Sequence, residues 1–172
     1  MTSVKQDRSI ILHTTNRYKN ARVPMPKLRK LAKIVCDRFG GNKTSDKRVE
    51  MSIVVVDDMQ IRELNSRFLN RNANTDCLSF DLSDGENEES HAGNSTSKTF
   101  EIIVNGEMAD RQSRLRGHSS EAELALYITH GLLHNFGFDD AAPDQAHIMH
   151  DTEDEILKQL GFGSVYNRSI RE

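Results

Sequence analysis

The sequence lacks the long apolar runs, paired cysteine motifs and internal repeats that mark several large classes of protein. Its apolar stretches fall well short of the ~18 residues that a membrane-spanning helix needs. Its two cysteines, Cys36 and Cys77, lie in apolar surroundings without a CxxC spacing. This pattern predicts buried free thiols rather than a disulfide framework. We therefore expect neither a membrane span nor a disulfide-stapled scaffold nor a repeat protein.

The first twenty residues also lack the pattern of a secretory signal. Their apolar run is only Ile10–Leu12, and no small-residue cleavage pattern follows it. With the free thiols, this predicts a cytoplasmic protein. Because domains cluster around ~100–150 residues, we expect residues 1–172 to form one domain.

The chain lacks a strong net charge, since its formal value is −3, but that value conceals an asymmetry. Residues 1–50 hold 13 Lys and Arg against 4 Asp and Glu (+9), whereas the remainder holds 10 against 22 (−12). The basic part can attract a polyanion through counterion release. Lysines on an exposed helix face explain the same count, and from the sequence alone we favour that interpretation.

Hydrophobic periodicity predicts four short strands among five helices, which is an α+β domain with a small mixed sheet. Asp57 and Asp58 are predicted to cap the second helix, and Ser120 with Glu123 to form a capping box at the fourth. The polar, acidic segment Ser83–Lys98 is predicted to be a loop. The predicted strands are Ser9–His13, Arg48–Val56, Cys77–Leu82 and Phe100–Val104, and the predicted helices are Met25–Phe39, Met59–Leu69, Met108–Arg116, Glu121–Phe136 and Asp144–Leu160.

The segment THGLLHNFGFDD, residues 129–140, carries a candidate metal site. His130 and His134 are four residues apart on a helix that is apolar on nearly every side, so both imidazoles lie on one face. Gly137 can adopt the left-handed conformation that turns the chain back toward that face. Asp140 then supplies a carboxylate, which zinc accepts beside imidazole nitrogen. Three protein ligands leave a fourth position for water, as in catalytic rather than structural zinc sites.

Three alternatives remain open from the residues alone. A HxxxH spacing also occurs where two core histidines are hydrogen-bonded without an ion. His147 and His150, one turn apart in the next predicted helix, are alternative third ligands. The spacing is also that of the zincin peptidases, but their general base is a Glu directly after the first histidine, and here that residue is Gly131.

With these residues the sequence resembles a known family, the YbeY family of bacterial rRNA-maturation endoribonucleases, whose signature is similar to HGxLHxxGYDH. The resemblance covers roughly residues 48–161, in order and at compatible spacing. Besides residues 130–140, the matching stretches are Leu64-Asn65, Thr75–Phe80, Glu101–Val104, Arg111-Gln112, Gly117–Ser119, Met149, Glu153, Glu155–Leu157 and Leu160-Gly161.

This resemblance implies an α+β fold, one zinc ion held by three motif residues, cleavage of single-stranded RNA, and roles in 16S rRNA 3′-end maturation and ribosome quality control. It carries over His130 and His134 as ligands. The family's third ligand is a histidine, where this sequence has Asp140. A carboxylate there lowers the charge of the site by one and favours harder ions such as Mn²⁺ or Fe²⁺ more than an all-nitrogen set does.

Two further departures concern positions outside the metal motif. The family carries a basic pair thought to contact phosphate, and here its first position is Leu69 while Arg71 occupies the second. Arg71 is therefore our candidate catalytic residue, because its forked guanidinium can grip a phosphate. Any role of the family's acidic residue before the fourth predicted strand falls to Glu101.

The resulting hypothesis is a metal-dependent hydrolase, an endoribonuclease that cleaves phosphodiester bonds with an ion at His130, His134 and Asp140. Zinc is the expected ion, single-stranded RNA or rRNA the expected substrate, and the small ribosomal subunit or its assembly factors the expected partners. The competing hypotheses are a metalloprotease-like hydrolase and a catalytically weakened, ribosome-associated binding protein.

Overall fold

The computed structural model describes residues 8–41, 48–83 and 97–167. Within these ranges the chain forms four strands and five helices, so the predicted α+β class is confirmed. The strands are β1 (Ser9–Asn16), β2 (Arg48–Val56), β3 (Cys77–Asp81) and β4 (Ser97–Asn105), and the helices are α1 (Met25–Phe39), α2 (Asp58–Leu69), α3 (Gly106–Arg116), α4 (Ser120–Asn135) and α5 (Pro143–Gln159).

The four strands form one mixed sheet in the order β1-β2-β4-β3. β1, β2 and β4 run parallel, and β3 pairs antiparallel with β4 at one edge. β2 and β4 occupy the middle of the sheet, where both faces are covered. This position explains why the second half of β2 is a continuous β-branched run instead of an alternating one.

The two faces of the sheet carry apolar clusters of different size. Met51 and Ile102 belong to the main core, to which α1, α4 and α5 also contribute. Val56 and Ile103 point to the other face, where Ile61 of α2 packs against them. The sheet therefore separates the lone helix α2 from the larger helical layer that carries the predicted metal motif.

Helix α4 lies at the centre of the larger layer and approaches the sheet very closely at Gly131. A Cβ atom added to Gly131 would lie 2.9 Å from Cγ2 of Ile102 and 3.5 Å from Sγ of Cys77. Ser79 of the edge strand β3 donates a hydrogen bond to the Gly131 carbonyl at 2.7 Å. A glycine inside a helix costs about 1 kcal/mol relative to alanine. Here it permits the close packing of α4 on β3 and β4.

The start of α4 differs from the prediction. Ser119, not Ser120, is the N-cap, and its side chain accepts a hydrogen bond from the Ala122 N–H at 3.1 Å. Glu123 takes no part in a capping box, because its side chain is buried and pairs with His118. The sequence favours Ser120 because only this serine has a glutamate three residues later, whereas Ser119 has Ala122 at that spacing.

Two strands are longer than predicted because their pairing with β2 continues past their apolar residues. β1 continues to Asn16, opposite Val55 of β2. β4 begins at Ser97, inside the segment predicted as a loop, because parallel pairing with β2 gives its backbone hydrogen-bond partners there. Residues 84–96 of that predicted loop lie outside the described residues.

The basic side chains of α1 contact the acidic second half of the chain. Lys27 pairs with Glu121 at 2.6 Å, and Arg38 pairs with Glu155 at 3.0 Å. Lys30 donates to the backbone carbonyl of Gln159 at 2.7 Å. The charge asymmetry along the sequence is thus partly matched within the fold, which favours the interpretation of these residues as a helix surface.

Neither cysteine is in a disulfide, as predicted; Cys36 is buried and Cys77 half-buried. Burial raises the pKa of the Cys36 thiol to about 11. None of the helices in the described ranges has the length and apolar character needed to cross a membrane.

Candidate metal centre

The three residues predicted as ligands lie together at the end of α4. The Nε2 atoms of His130 and His134 are 3.0 Å apart. Asp140 reaches the same point, with Oδ2 3.5 Å from Nε2 of His130 and Oδ1 3.8 Å from Nε2 of His134. These three side chains form one of the two groups of metal-ligating residues found among the described residues.

The turn after α4 brings Asp140 to the histidines. Gly137 has a φ of 92°, which is the left-handed conformation that was predicted for it. The chain then folds back, and the Phe138 N–H bonds to the Leu133 carbonyl at 3.1 Å. This reversal also points the Phe138 carbonyl at Nδ1 of His134, at 3.0 Å. One local turn therefore supplies both a candidate ligand and a partner that orients another.

The hydrogen bonds of the two imidazoles fix where their lone pairs point. Nδ1 of His130 faces Oε1 of Glu153 at 2.6 Å, and Nδ1 of His134 faces the Phe138 carbonyl. A carbonyl and an ionised carboxylate only accept, so both Nδ1 atoms carry hydrogen. In the neutral rings, each Nε2 then presents a lone pair toward the other. Two lone pairs at 3.0 Å repel unless a cation lies between them.

The donor set fits a divalent ion. Two atoms bound about 2 Å from one tetrahedral zinc ion lie about 3.3 Å apart. The two nitrogens here are 3.0 Å apart, and each lies 3.5 or 3.8 Å from a different oxygen of the Asp140 carboxylate. A proton shared by the two imidazoles also relieves their repulsion, and the Asp140 carboxylate then balances its charge. Two imidazoles and one carboxylate form a set that zinc accepts.

Glu153 of α5 is a buried carboxylate that orients His130, and it was not identified as a site residue from the sequence. Its Oε1 bonds to His130, and its Oε2 bonds to Nδ1 of His150 at 2.9 Å. Burial lowers the pKa of His130, but the hydrogen bond and charge of Glu153 outweigh this effect, so the pKa lies above its usual value. A carboxylate behind a ligating histidine is the usual support of a metal site.

The two alternative third ligands occupy different environments. His147 points outward with a side chain that is 76% exposed and pairs with Asp151 at 3.3 Å. His150 lies inside, near Glu153 and His130, and these three residues form the second group with metal-ligating geometry. The His150 ring also stacks on Tyr166, with ring centroids 3.5 Å apart. Of the two, only His150 lies near the candidate site.

Comparison with known proteins shows the family to which the chain belongs. The family model for Endoribonuclease YbeY matches residues 13–161. The chain belongs to the YbeY endoribonuclease family. The Endoribonuclease YbeY of Heliobacterium modesticaldum is 35% identical over 116 residues, which are 65% of this chain and 70% of the relative. That of Aquifex aeolicus is 28% identical over 161 residues, 93% of this chain and 97% of the relative.

A solved structure shares the fold. It is the solution structure of a protein from Thermotoga maritima, with a TM-score of 0.55 and 21% sequence identity, and the match covers 87% of this chain and 89% of that protein. The YbeY family is a family of hydrolytic nucleases, so membership gives the reaction class of the chain. Membership by itself assigns no role to an individual residue of this chain.

The position of the YbeY family's basic pair lies at the end of α2. Leu69 is 49% exposed, Asn70 ends the helix in the left-handed conformation, and the exposed Arg71 follows. The Arg71 N–H bonds to the Asn65 carbonyl at 3.3 Å, which fixes the start of a loop that leads to Asp76. Within the described part of the chain, the cavity beside His130 is lined by Asp76 but not by Arg71. The role of Arg71 stays a prediction.

The Arg111-Gln112 stretch of the family resemblance divides into a structural and a site-facing residue. Arg111 donates to Asp58 at 2.7 and 3.2 Å and holds the pKa of that carboxyl below its usual value. This pair joins α3 to the start of α2. Gln112 instead lines the cavity beside His130. Glu101 is half-buried within β4, opposite Ser52 of β2.

Proposed function

We propose that this chain is a metal-dependent endoribonuclease that hydrolyses phosphodiester bonds in single-stranded RNA, with a divalent ion at His130, His134 and Asp140. The observation that carries the proposal is the convergence of two imidazole lone pairs and one carboxylate on a single point. Membership of the YbeY family supports the reaction class.

Zinc is our first choice for the ion, and Mn²⁺ or Fe²⁺ are the alternatives that the oxygen ligand favours. A divalent ion there supplies a Lewis acid that withdraws charge from phosphate and makes water more acidic. Asp140 brings one more negative charge than a histidine would, which weakens that effect. We therefore expect slower cleavage than a site with three histidines gives.

The protein's own side chains position the site. Glu153 fixes the ring of His130, and the Phe138 carbonyl fixes that of His134. Asp140 is 41% exposed, so this ligand faces the side from which a substrate approaches. We propose Arg71 as a contact to a phosphate outside the cavity; among the described residues, no hydrogen bond or ion pair engages its guanidinium.

In the cell, we propose rRNA as the substrate, with maturation of the 16S rRNA 3′ end and ribosome quality control as the processes. The small ribosomal subunit or its assembly factors are then the partners. The proposal places the protein in the cytoplasm, where ribosomes assemble and where free thiols such as Cys36 and Cys77 persist.

The first experiment measures the metal content of the purified full chain. We expect about one zinc ion per chain in the wild type and a strongly reduced content in Asp140→Ala, because three donors hold catalytic zinc. His147→Ala is the matched control, since this histidine is exposed and outside the site. Unchanged metal in Asp140→Ala would contradict the ligand set and make His150 the candidate third ligand.

The second experiment incubates the metal-loaded chain with single-stranded RNA and, separately, with casein. We expect RNA cleavage that chelation abolishes. Cleavage of casein alone would establish a peptidase instead, although a glutamate base has no room at Gly131, next to Ile102. RNA binding without cleavage, with rRNA processing that still proceeds in cells carrying His130→Ala, would establish the binding-protein alternative.

A further inference from the structure

A cavity of about 380 Å³ extends from the metal centre between α3, α4 and α5. Its lining is rich in carboxylates, which come from Asp76, Glu123, Asp140 and Glu153. Among the described residues, Arg116 is the one lysine or arginine side chain that lines it. An RNA strand carries one negative charge per phosphate, so Arg116 is the position in the cavity wall that attracts it.

The helix faces place Arg116 at the end of the cavity away from the ligands. Gln112 and Arg116 lie four residues apart, so they share the face of α3 that lines the cavity. Arg116 approaches Glu123 at 3.7 Å. Glu123 precedes His130 on α4 by seven residues, which corresponds to about 10 Å along a helix. Arg116 therefore lies too far from the metal centre to hold the phosphate that is cleaved there.

The guanidinium of Arg116 has N–H donors that Glu123 does not use. Its 3.7 Å approach to Oε1 of Glu123 is longer than a hydrogen bond, and that oxygen has no hydrogen-bond partner among the described residues. The other oxygen of Glu123 pairs with His118. The Arg116 side chain is 38% exposed. Glu123 thus keeps the guanidinium near the cavity by charge, without occupying its N–H groups.

We infer that Arg116, with Gln112 beside it, forms a subsite for a phosphodiester that flanks the scissile one on a bound RNA strand. The inference rests on the proposed function for the identity of the ligand. A guanidinium provides forked donors for phosphate oxygens, and the Gln112 amide adds a further donor. Contacts of this kind position a nucleic acid without reading its bases. The subsite holds the strand in the cavity while chemistry occurs at the metal centre.

The test measures binding of a fluorescein-labelled, 2′-O-methyl oligouridylate to the zinc-loaded full chain across a range of salt concentrations. Each lost phosphate contact reduces the slope of log K against log salt by about 0.7 for a single strand. We expect this reduction, with about tenfold weaker binding, for Arg116→Ala. Arg116→Lys keeps the charge and should keep the slope. Arg114→Ala is the matched control, because Arg114 is on the same helix, 72% exposed, and pairs with Asp110 instead.

Cleavage kinetics provide a second readout. Arg116→Ala should raise KM for an oligouridylate and leave kcat unchanged. The same variant should cleave the dinucleotide UpU as the wild type does, because UpU has no flanking phosphate. Thermal unfolding identifies a merely structural role: a lower Tm with an unchanged salt slope would overturn the inference.

The outcomes separate this inference from the proposed function. A wild type that binds the oligouridylate but never cleaves RNA would contradict the proposed function, and the salt slopes would still decide the role of Arg116. Equal salt slopes for the wild type and Arg116→Ala would overturn the inference alone. A reduction of the slope in Arg114→Ala as large as that in Arg116→Ala would do the same. A wild type that binds no single-stranded RNA would overturn both.

Discussion

At the scale of single residues, the two imidazoles of the candidate metal centre differ in what orients them. His134 bonds to a neutral backbone carbonyl that follows it by four residues. His130 bonds to the buried carboxylate of Glu153, which comes from another helix. A charged partner raises the basicity of the ligating ring more than a neutral one does. Affinity for the ion should therefore depend on the charge of Glu153.

We predict that Glu153→Gln lowers the affinity for zinc by roughly 10–100-fold, the usual effect of changing a partner behind a ligand. The amide keeps the shape of the side chain but loses the charge that faces His130. Competition titration against a zinc chelator measures the change. The control is Glu155→Gln on the same helix, whose side chain is 59% exposed and pairs with Arg38. Equal affinities for the wild type and Glu153→Gln would show that Glu153 does not support the ligand.

The side chains whose proximity was predictable from the sequence are those that are close along the chain. His130, His134 and Asp140 lie within one helix and the turn that follows it, so spacing and the left-handed Gly137 were enough to bring them together. Glu153 meets His130 across 23 positions of sequence. Helical periodicity places it on α5 but does not say which helix α5 packs against.

At the scale of elements, α4 depends on its first turn because it carries the metal motif at its other end. Ser119 accepts from the Ala122 N–H, so it satisfies one of the unpaired donors at the helix start. Ser120 lies within the helix, and its hydroxyl makes an exposed contact of 3.3 Å to the Asn20 carbonyl. The two serines are neighbours with different functions.

Ser119→Ala should therefore lower the free energy of unfolding by about 1 kcal/mol, the usual value of an N-cap. Ser120→Ala should change it by less than about 0.5 kcal/mol, as for most surface substitutions. Urea denaturation of the two variants beside the wild type measures both values. If Ser120→Ala were the more destabilising of the pair, the predicted capping box at Ser120 would be correct and the cap at Ser119 wrong.

Whether an element is a helix or a strand was predictable because the two differ in the period of their apolar residues. The bounds of α1 and β2 are those predicted. The ends of β1 and β4 were not, because pairing with β2 extends them past their apolar residues. Gly131 shows a related limit. The sequence shows only that this position lacks the glutamate base of a zincin peptidase. The structure shows that α4 packs against Ile102 at this position.

At the scale of the whole molecule, the candidate metal centre joins the end of α4 and the turn after it to α5. His130 and His134 come from α4, Asp140 from the turn after it, and Glu153 ties α5 to the same point. An unfolded chain does not hold these groups together, so an ion binds the folded state preferentially. Binding should then stabilise the fold as a whole by RT ln(1 + [L]/Kd), which is about 2.7 kcal/mol at a hundredfold excess over Kd.

For a chain of this length, each kcal/mol raises Tm by about 2–4 °C, so saturating zinc should raise the Tm of the chelator-treated protein by roughly 5–11 °C. Differential scanning calorimetry with and without zinc measures the shift. His134→Ala removes one donor and should lose most of it, whereas His147→Ala, an exposed histidine outside the centre, should keep it. A shift that survives in His134→Ala but disappears in His147→Ala would mean that the stabilising ion binds on the outer surface of α5. In that case the convergence of His130, His134 and Asp140 would hold a shared proton, and the chain would need another source for its Lewis acid.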